Sequence, residues 1–379
     1  MRNLNILIIL IHVLLYVTVI LDIPILRQCI GFIYLTFIPG FIIIRAIIKR
    51  NVSFAVELTL SVGVSIGFLM LVGLLANTLY PVIGISAPLS TMPILITISA
   101  FTLVLFVFSQ IKSINEPSID SLQFLSFKKD TGFILSILSI FLLGISIVGA
   151  ICNNTLLQLF VIVGLASIFI ASVFLSNRIS SNCFMFLLFV CSLALVLLTS
   201  LISEHIMGWD IFGEYFVFMS VLRVGHWFPS GIVSSFTSFS LLNSILSDTI
   251  LPTIYSTIMN LNGELILKTV FPVIFCFVPV ILFKIFKSQL GKSIAMVSAL
   301  FFIVEPLNLY GLGALSLTRE MITYLFLVLI IFCFVTKDLD IRIRKLLIIA
   351  FSAGLAVSHY SLFFSVVYFC GINLIVSSY

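Results

Sequence analysis

Few residues of this chain could do chemistry, and most of them fall in one stretch, SEHIMGWDIFGEYFVFMSVLRVGHWFPS, residues 203–230. Asp210 and Glu214 stand four apart and so share one face of a helix. Like charges at that spacing repel, and a shared proton or cation relieves them. A carboxylate so placed can act as a general base or hold a divalent cation, magnesium or manganese, with Asp210 the best candidate ligand. Arg319 offers a guanidinium that matches phosphate at two points. Glu320, His205 and His359 are further candidates for binding a substrate or its phosphate, and Trp209, Tyr215 and Trp227 offer flat faces to a ring or a lipid. Each has a plainer role open to it. Asp210 suits a helix N-cap, Glu214 a solvated face, Trp209 and Trp227 an interfacial belt, and His359-Tyr360 a hairpin tip.

The elements that position these residues are set by composition. Of 379 residues, 61% are hydrophobic and 9% charged, with a mean hydropathy of +1.33. That is too little charge to cover a soluble surface. Apolar runs long enough to span hydrocarbon recur near 4–21, 29–48, 58–80, 91–111, 131–150, 156–175, 183–202, 266–286, 293–309, 320–336, 345–359 and 361–378. They predict about twelve crossings. The first run lacks a cleavage pattern and reads as a retained helix, and Pro39-Gly40 is expected to kink the second. The seven cysteines are scattered without a C-x-x-C pair, which argues against a disulfide framework or a zinc site. Asn153-Asn154-Thr155 matches a glycosylation sequon close to the membrane.

Charge sets the orientation. The net +5 lies in short loops and calls for no nucleic acid. With the N-terminus inside, Arg2, Arg45, Lys49, Arg50, Lys112, Lys128, Lys129, Arg178, Lys284, Lys287, Lys292, Lys337, Arg342, Arg344 and Lys345 are inner, against Arg27, Arg223, Lys268 and Arg319 outside, a split of 15 to 4. This predicts cytoplasmic termini and an outward stretch 203–262. Residues 239–261 are apolar, yet a crossing there would bury Asp248 and Pro252 and leave 8 cations inside against 11 outside. The segment is therefore expected outside or re-entrant, as two short helices at the interface. From Asp210 the pattern predicts an amphipathic helix whose apolar stripe is Ile211, Tyr215, Phe218, Met219 and Leu222. The span midplanes carry almost no ionisable residue apart from His12, unlike an ion-coupled transporter.

Several of these stretches, in order, resemble the signature of an archaeal family of polytopic membrane proteins of unknown function. They are His205-x-x-Gly208-x-Asp210-Ile211-x-x-Glu214-Tyr215, Asn243-Ser244-x-Leu246-Ser247, Leu251-Pro252-x-Ile254-Tyr255-Ser256, Arg319-Glu320-Met321-Ile322 and Ser358-His359-Tyr360-Ser361. The resemblance covers residues 200–365, with Ile38-Pro39-Gly40-Phe41 a looser match upstream. The chain departs from the family pattern at Phe212 and Glu320, and ends at Tyr379 short of the family's outer domain. That family is similar in turn to glycosyltransferases of the C-type (GT-C) fold, the class of oligosaccharyltransferase and protein mannosyltransferases.

The resemblance implies an all-α polytopic bundle with an outer insert of short amphipathic or re-entrant helices. Residues 1–182 would be a six-span module and 183–379 a GT-C-like core, with first span 183–202, insert 203–262 and spans 266–378. It implies transfer of a sugar from a polyprenyl-phosphate donor at the outer face of the plasma membrane, with Asp210 and Glu214 catalytic. Two alternatives are a non-catalytic membrane scaffold or assembly subunit and a lipid-linked-sugar translocase.

Overall fold

The computed structural model describes residues 2–48, 52, 54–113, 131–208, 210–229, 241–309, 318–337, 339–365 and 367. Among them every regular element is a helix. In chain order these are α1 (Arg2–Ile20), α2 (Leu26–Ile47), α3 (Phe54–Leu79), α4 (Thr91–Ser113), α5 (Thr131–Ile151), α6 (Thr155–Phe174), α7 (Ser181–Ser200), α8 (Asp210–Val224) and α9 (Ile250–Met259). There follow α10 (Gly263–Leu290, with a π turn at Ile266–Val270), α11 (Lys292–Leu309), α12 (Thr318–Val335) and α13 (Ile341–Ser358).

Among the described residues, seven helical segments are long and apolar enough to cross a bilayer: Leu26–Ile47, Val56–Ile83, Thr91–Ile111, Thr131–Ile151, Thr155–Phe174, Ser181–Ser200 and Gly263–Leu290. Their outward faces carry large apolar side chains, including Ile134, Ile137 and Phe141 of α5 and Leu159, Val163 and Ile170 of α6. Water penalises such a surface and hydrocarbon does not. The chain is an integral membrane protein. Where helices start, local chemistry sets the start: Asn154 Oδ1 accepts from the N–H of Leu156 and of Leu157, and Ser180 Oγ from that of Cys183.

Pro39 and Gly40 lie inside α2, which runs unbroken through them. Their use is a close approach. A methyl group on Gly40 would overlap the Ser61 carbonyl oxygen and sit 2.7 Å from Ser65 N, both on α3. The Gly40 N–H instead donates to Ser65 Oγ at 2.8 Å. Gly40→Ala is thus expected to push α2 off α3 and cost about 1–3 kcal/mol, visible as a lowered unfolding temperature in detergent. Deeper in the bundle His12 Nδ1 meets the hydroxyl of the fully buried Tyr34 at 3.0 Å, a hydrogen bond joining α1 to α2.

The segment expected outside or re-entrant packs against the bundle. α9 is inside the protein, with Ile250, Leu251, Ile254, Tyr255 and Ile258 all fully buried. Its buried hydroxyls are bonded within the protein, Thr253 Oγ1 to Thr249 O and Ser256 Oγ to Leu261 O. It seats on glycines of both partners: a methyl on Gly31 of α2 would press on Met259, and one on Gly73 of α3 on Ile250 and Ile254. Tyr255 and Thr36 share a hydrogen bond at 2.9 Å. Its last carbonyls are taken by Arg27, whose Nε donates to Ile258 O at 2.7 Å and Nη2 to Thr257 O at 2.9 Å.

Candidate functional site

One end of the bundle gathers the last residues of α3, α7 and α13 and the first of α2, α10 and α12. Three sets of contacts assemble it. Asn77 at the end of α3 exchanges two hydrogen bonds of 2.8 Å with the backbone of Trp227, and the indole Nε1 donates to Asn243 O at 2.8 Å. Lys268 Nζ binds the carbonyl oxygens of Ser203 and Glu204. The N–H of Leu246 donates to Val357 O at 2.9 Å and Ser247 Oγ to Ser358 O at 3.4 Å, which brings residues 246–248 against the end of α13.

At the centre is Arg319, in the first turn of α12, with a side chain 14% exposed. Its Nη2 donates to Asp210 Oδ2 at 3.0 Å, and its Nε lies 3.5 Å from Glu214 Oε1. Asp210 and Glu214 thus meet one guanidinium from one face of α8, but in unlike surroundings: the Asp210 side chain is 61% exposed and that of Glu214 1%. The buried stripe of α8 is Ile211, Glu214, Val217, Phe218 and Val221. Glu214 therefore belongs to the packed face, whereas Tyr215, Met219 and Leu222 are only partly covered. The Arg319 guanidinium, reaching in from a helix far along the chain, is what allows a carboxylate there.

A third carboxyl completes the group. Asp248 is 1% exposed, and neither of its oxygens has a hydrogen-bond partner among the described residues, the hydroxyl of Ser247 being turned to Ser358 O. Burial, and then the charge of Glu214, push its carboxyl well above the ordinary range, against the pull of Arg319. Such a group weakens the fold as pH rises from its unfolded value, about 4, toward its folded one, because the unfolded chain releases the proton first. Asp248→Asn is expected to raise the unfolding temperature at pH 7 by a few degrees, with the gain vanishing near pH 4. A constant gain across that range in thermal unfolding would refute the upward shift of the Asp248 carboxyl. The residue is the sole acid between Glu214 and Glu264, and that isolation in an apolar run was the available signal.

His359 caps α13 in extended backbone, its N–H on Leu355 O at 2.9 Å and its Nδ1 3.5 Å from the Leu362 N–H. Burial and then the Arg319 charge lower its pKa, so the imidazole is neutral at pH 7. Glu320 is half-buried and feels the charges of both Arg319 and Asp210.

The remaining sequence candidates lie on other contacts. His205 faces Glu264 at 3.3 Å. Tyr215 packs edge-on to Phe218 and over Gly263, and Trp227 is bound as described above. Trp209 is outside the described residues. For a divalent cation the donors fit poorly. No group of three or more His, Cys, Asp or Glu among the described residues is arranged to hold a metal, and Arg319 occupies the place between Asp210 and Glu214 that a bridging cation would take. Comparisons with protein-family models, curated proteins and solved structures find no match.

Proposed function

We propose that this end of the bundle is the site of a membrane transferase that moves a sugar from a polyprenyl-phosphate donor to an acceptor hydroxyl. The supporting observation is the position of Arg319, mostly buried yet held by one exposed carboxylate and one enclosed one. A donor phosphate arriving from solvent displaces the exposed partner, Asp210, and takes Nη2 in its place. Glu214, fixed on the packed face, keeps Nε oriented. Asp210 is then free to accept a proton from the acceptor hydroxyl. The acceptor oxygen attacks the anomeric carbon, the bond from that carbon to the phosphate oxygen breaks, and the electron pair leaves with the phosphate beside Arg319. Neutral His359 supplies a further phosphate contact, and Glu320, beside Arg319, orients the guanidinium.

In this reading α1, α11, α12, α13 and the residues after α13 complete about twelve crossings, with both termini cytoplasmic and the site on the outer face of the plasma membrane. The one-sided loop charge supports it: the cations of the opposite end include Arg45, Arg178, Lys284, Lys287, Lys292 and Arg344. A translocase would need a polar path between the two ends. A scaffold would need no exposed member in the Arg319 group.

The test is transfer by the purified protein, given a polyprenyl-phosphate hexose labelled in the sugar and a panel of hydroxyl acceptors. Label is expected to leave the lipid fraction with wild-type protein and to stay there with Asp210→Asn. Wild-type protein that leaves all the label on the lipid, with water and every acceptor, would overturn the reading.

A further inference from the structure

Arginines at both ends of the bundle meet acids, and two lysines do not. Arg27 meets Asp22, Arg319 meets Asp210 and Glu214, and Arg45 at the opposite end meets Glu57. Lys287 and Lys292, also at the opposite end, have no acidic partner among the described residues. Both are half-buried, and both reach the same short turn: Lys287 Nζ donates to Ser181 Oγ at 2.6 Å and Lys292 Nζ to Ile179 O at 3.1 Å. The charges acting on Lys287 are those of Lys284 and Lys292, both repulsive. Two long helices also begin here, α7 at Ser181 and α11 at Lys292, their starts joined by a Ser293–Ser176 hydrogen bond of 2.8 Å. Each adds the positive end of its dipole. Arg178, exposed in the same turn, adds a further cation.

Lys287 and Lys292, gathered on one turn with no acidic partner among the described residues, leave electrostatic free energy for an anion to recover. The surroundings say which anion. Immediately past Lys292, α11 presents Ile294, Val297 and Phe301 as an exposed apolar strip at helical spacing, and Leu290 lies exposed beside it. A charged group above an apolar strip, at the end of membrane-embedded helices, matches a lipid better than a free ion. We propose that the turn 176–181 with Lys287 and Lys292 is a binding site for the phosphate of an anionic phospholipid, whose acyl chain lies along α11. It is at the opposite end from the Arg319 group and stands or falls independently of the transferase reading.

The test uses the full chain in nanodiscs of phosphatidylcholine containing phosphatidylglycerol, with retained lipid counted by native mass spectrometry. Wild type is expected to retain phosphatidylglycerol, and Lys287→Gln/Lys292→Gln to bind it roughly thirty-fold more weakly, as the loss of two surface cations predicts. Lys287→Arg/Lys292→Arg should retain it. So should Arg342→Gln/Lys345→Gln, which removes the same charge from exposed positions at the same end. Equal retention by the two glutamine pairs would overturn the site, and inorganic phosphate binding as tightly as the lipid would overturn the headgroup assignment. Should the first glutamine pair fail to fold, a salt titration of wild type replaces it. Retention of phosphatidylglycerol must then fall between low and high salt while that of phosphatidylcholine holds, and parallel behaviour would refute the proposal.

Discussion

Asp210→Asn is expected to lower the turnover of sugar transfer by about 10²- to 10⁴-fold, the range over which a positioned general base acts. The loss should fall on kcat and spare donor binding. In the free protein Asp210 competes with the donor phosphate for Arg319 Nη2, 3.0 Å away, and asparagine competes less, so KM for the donor should stay level or drop. Stability should hardly move. The Asp210 side chain is 61% exposed, and an ion pair so open to water is worth about 1 kcal/mol at most. A collapse of kcat with an unchanged unfolding curve and an unraised KM is the signature of a base. If kcat is kept, or the unfolding temperature falls along with it, Asp210 is not that base.

Arg319→Met is expected to act on the fold as strongly as Asp210→Asn acts on rate. It removes the cation beside Glu214, 1% exposed, and beside Asp248, equally enclosed. Breaking a buried pair from one side costs about 3–5 kcal/mol, since the charge left behind is uncompensated. The damage should be partly reversed by adding Glu214→Gln, which removes the stranded charge. Equilibrium unfolding of the single and double variants at pH 7 tests the point. If Arg319→Met unfolds like wild type, the ion pair contributes nothing to stability.

The helices were legible because a membrane helix announces itself in consecutive residues. The runs read near 29–48 and 131–150 appear as α2, Leu26–Ile47, and α5, Thr131–Ile151, without help from the rest of the chain. Asp210, Glu214 and Arg319 could be singled out because charged residues are rare in such a sequence. What sequence could not supply was the exact rotation of α8. Of the expected stripe Ile211, Tyr215, Phe218, Met219 and Leu222, the structure buries Ile211 and Phe218 fully and the others in part, and it adds Glu214, Val217 and Val221. No rule of local hydrophobicity buries a glutamate, and the guanidinium that permits it comes from a residue more than a hundred positions later. Asp248 was read only as a charge opposing a crossing by 239–261, and its enclosure beside Glu214 and Arg319 is set by residues distant in sequence.

The seating of α9 on Gly31 and Gly73 has a consequence for the order of events at the ribosome. The glycines belong to helices made early, while the helix that fills their groove ends at Met259, 146 residues after α4 ends at Ser113. At about 5–20 residues per second, that interval lasts roughly 7–30 s. Through it the groove between α2 and α3 holds lipid or another nascent helix, and Arg27 waits for the carbonyls it will cap. Stalling synthesis within that window should leave the N-terminal helices inserted but open to protease at Arg27, and release of the stall should close them.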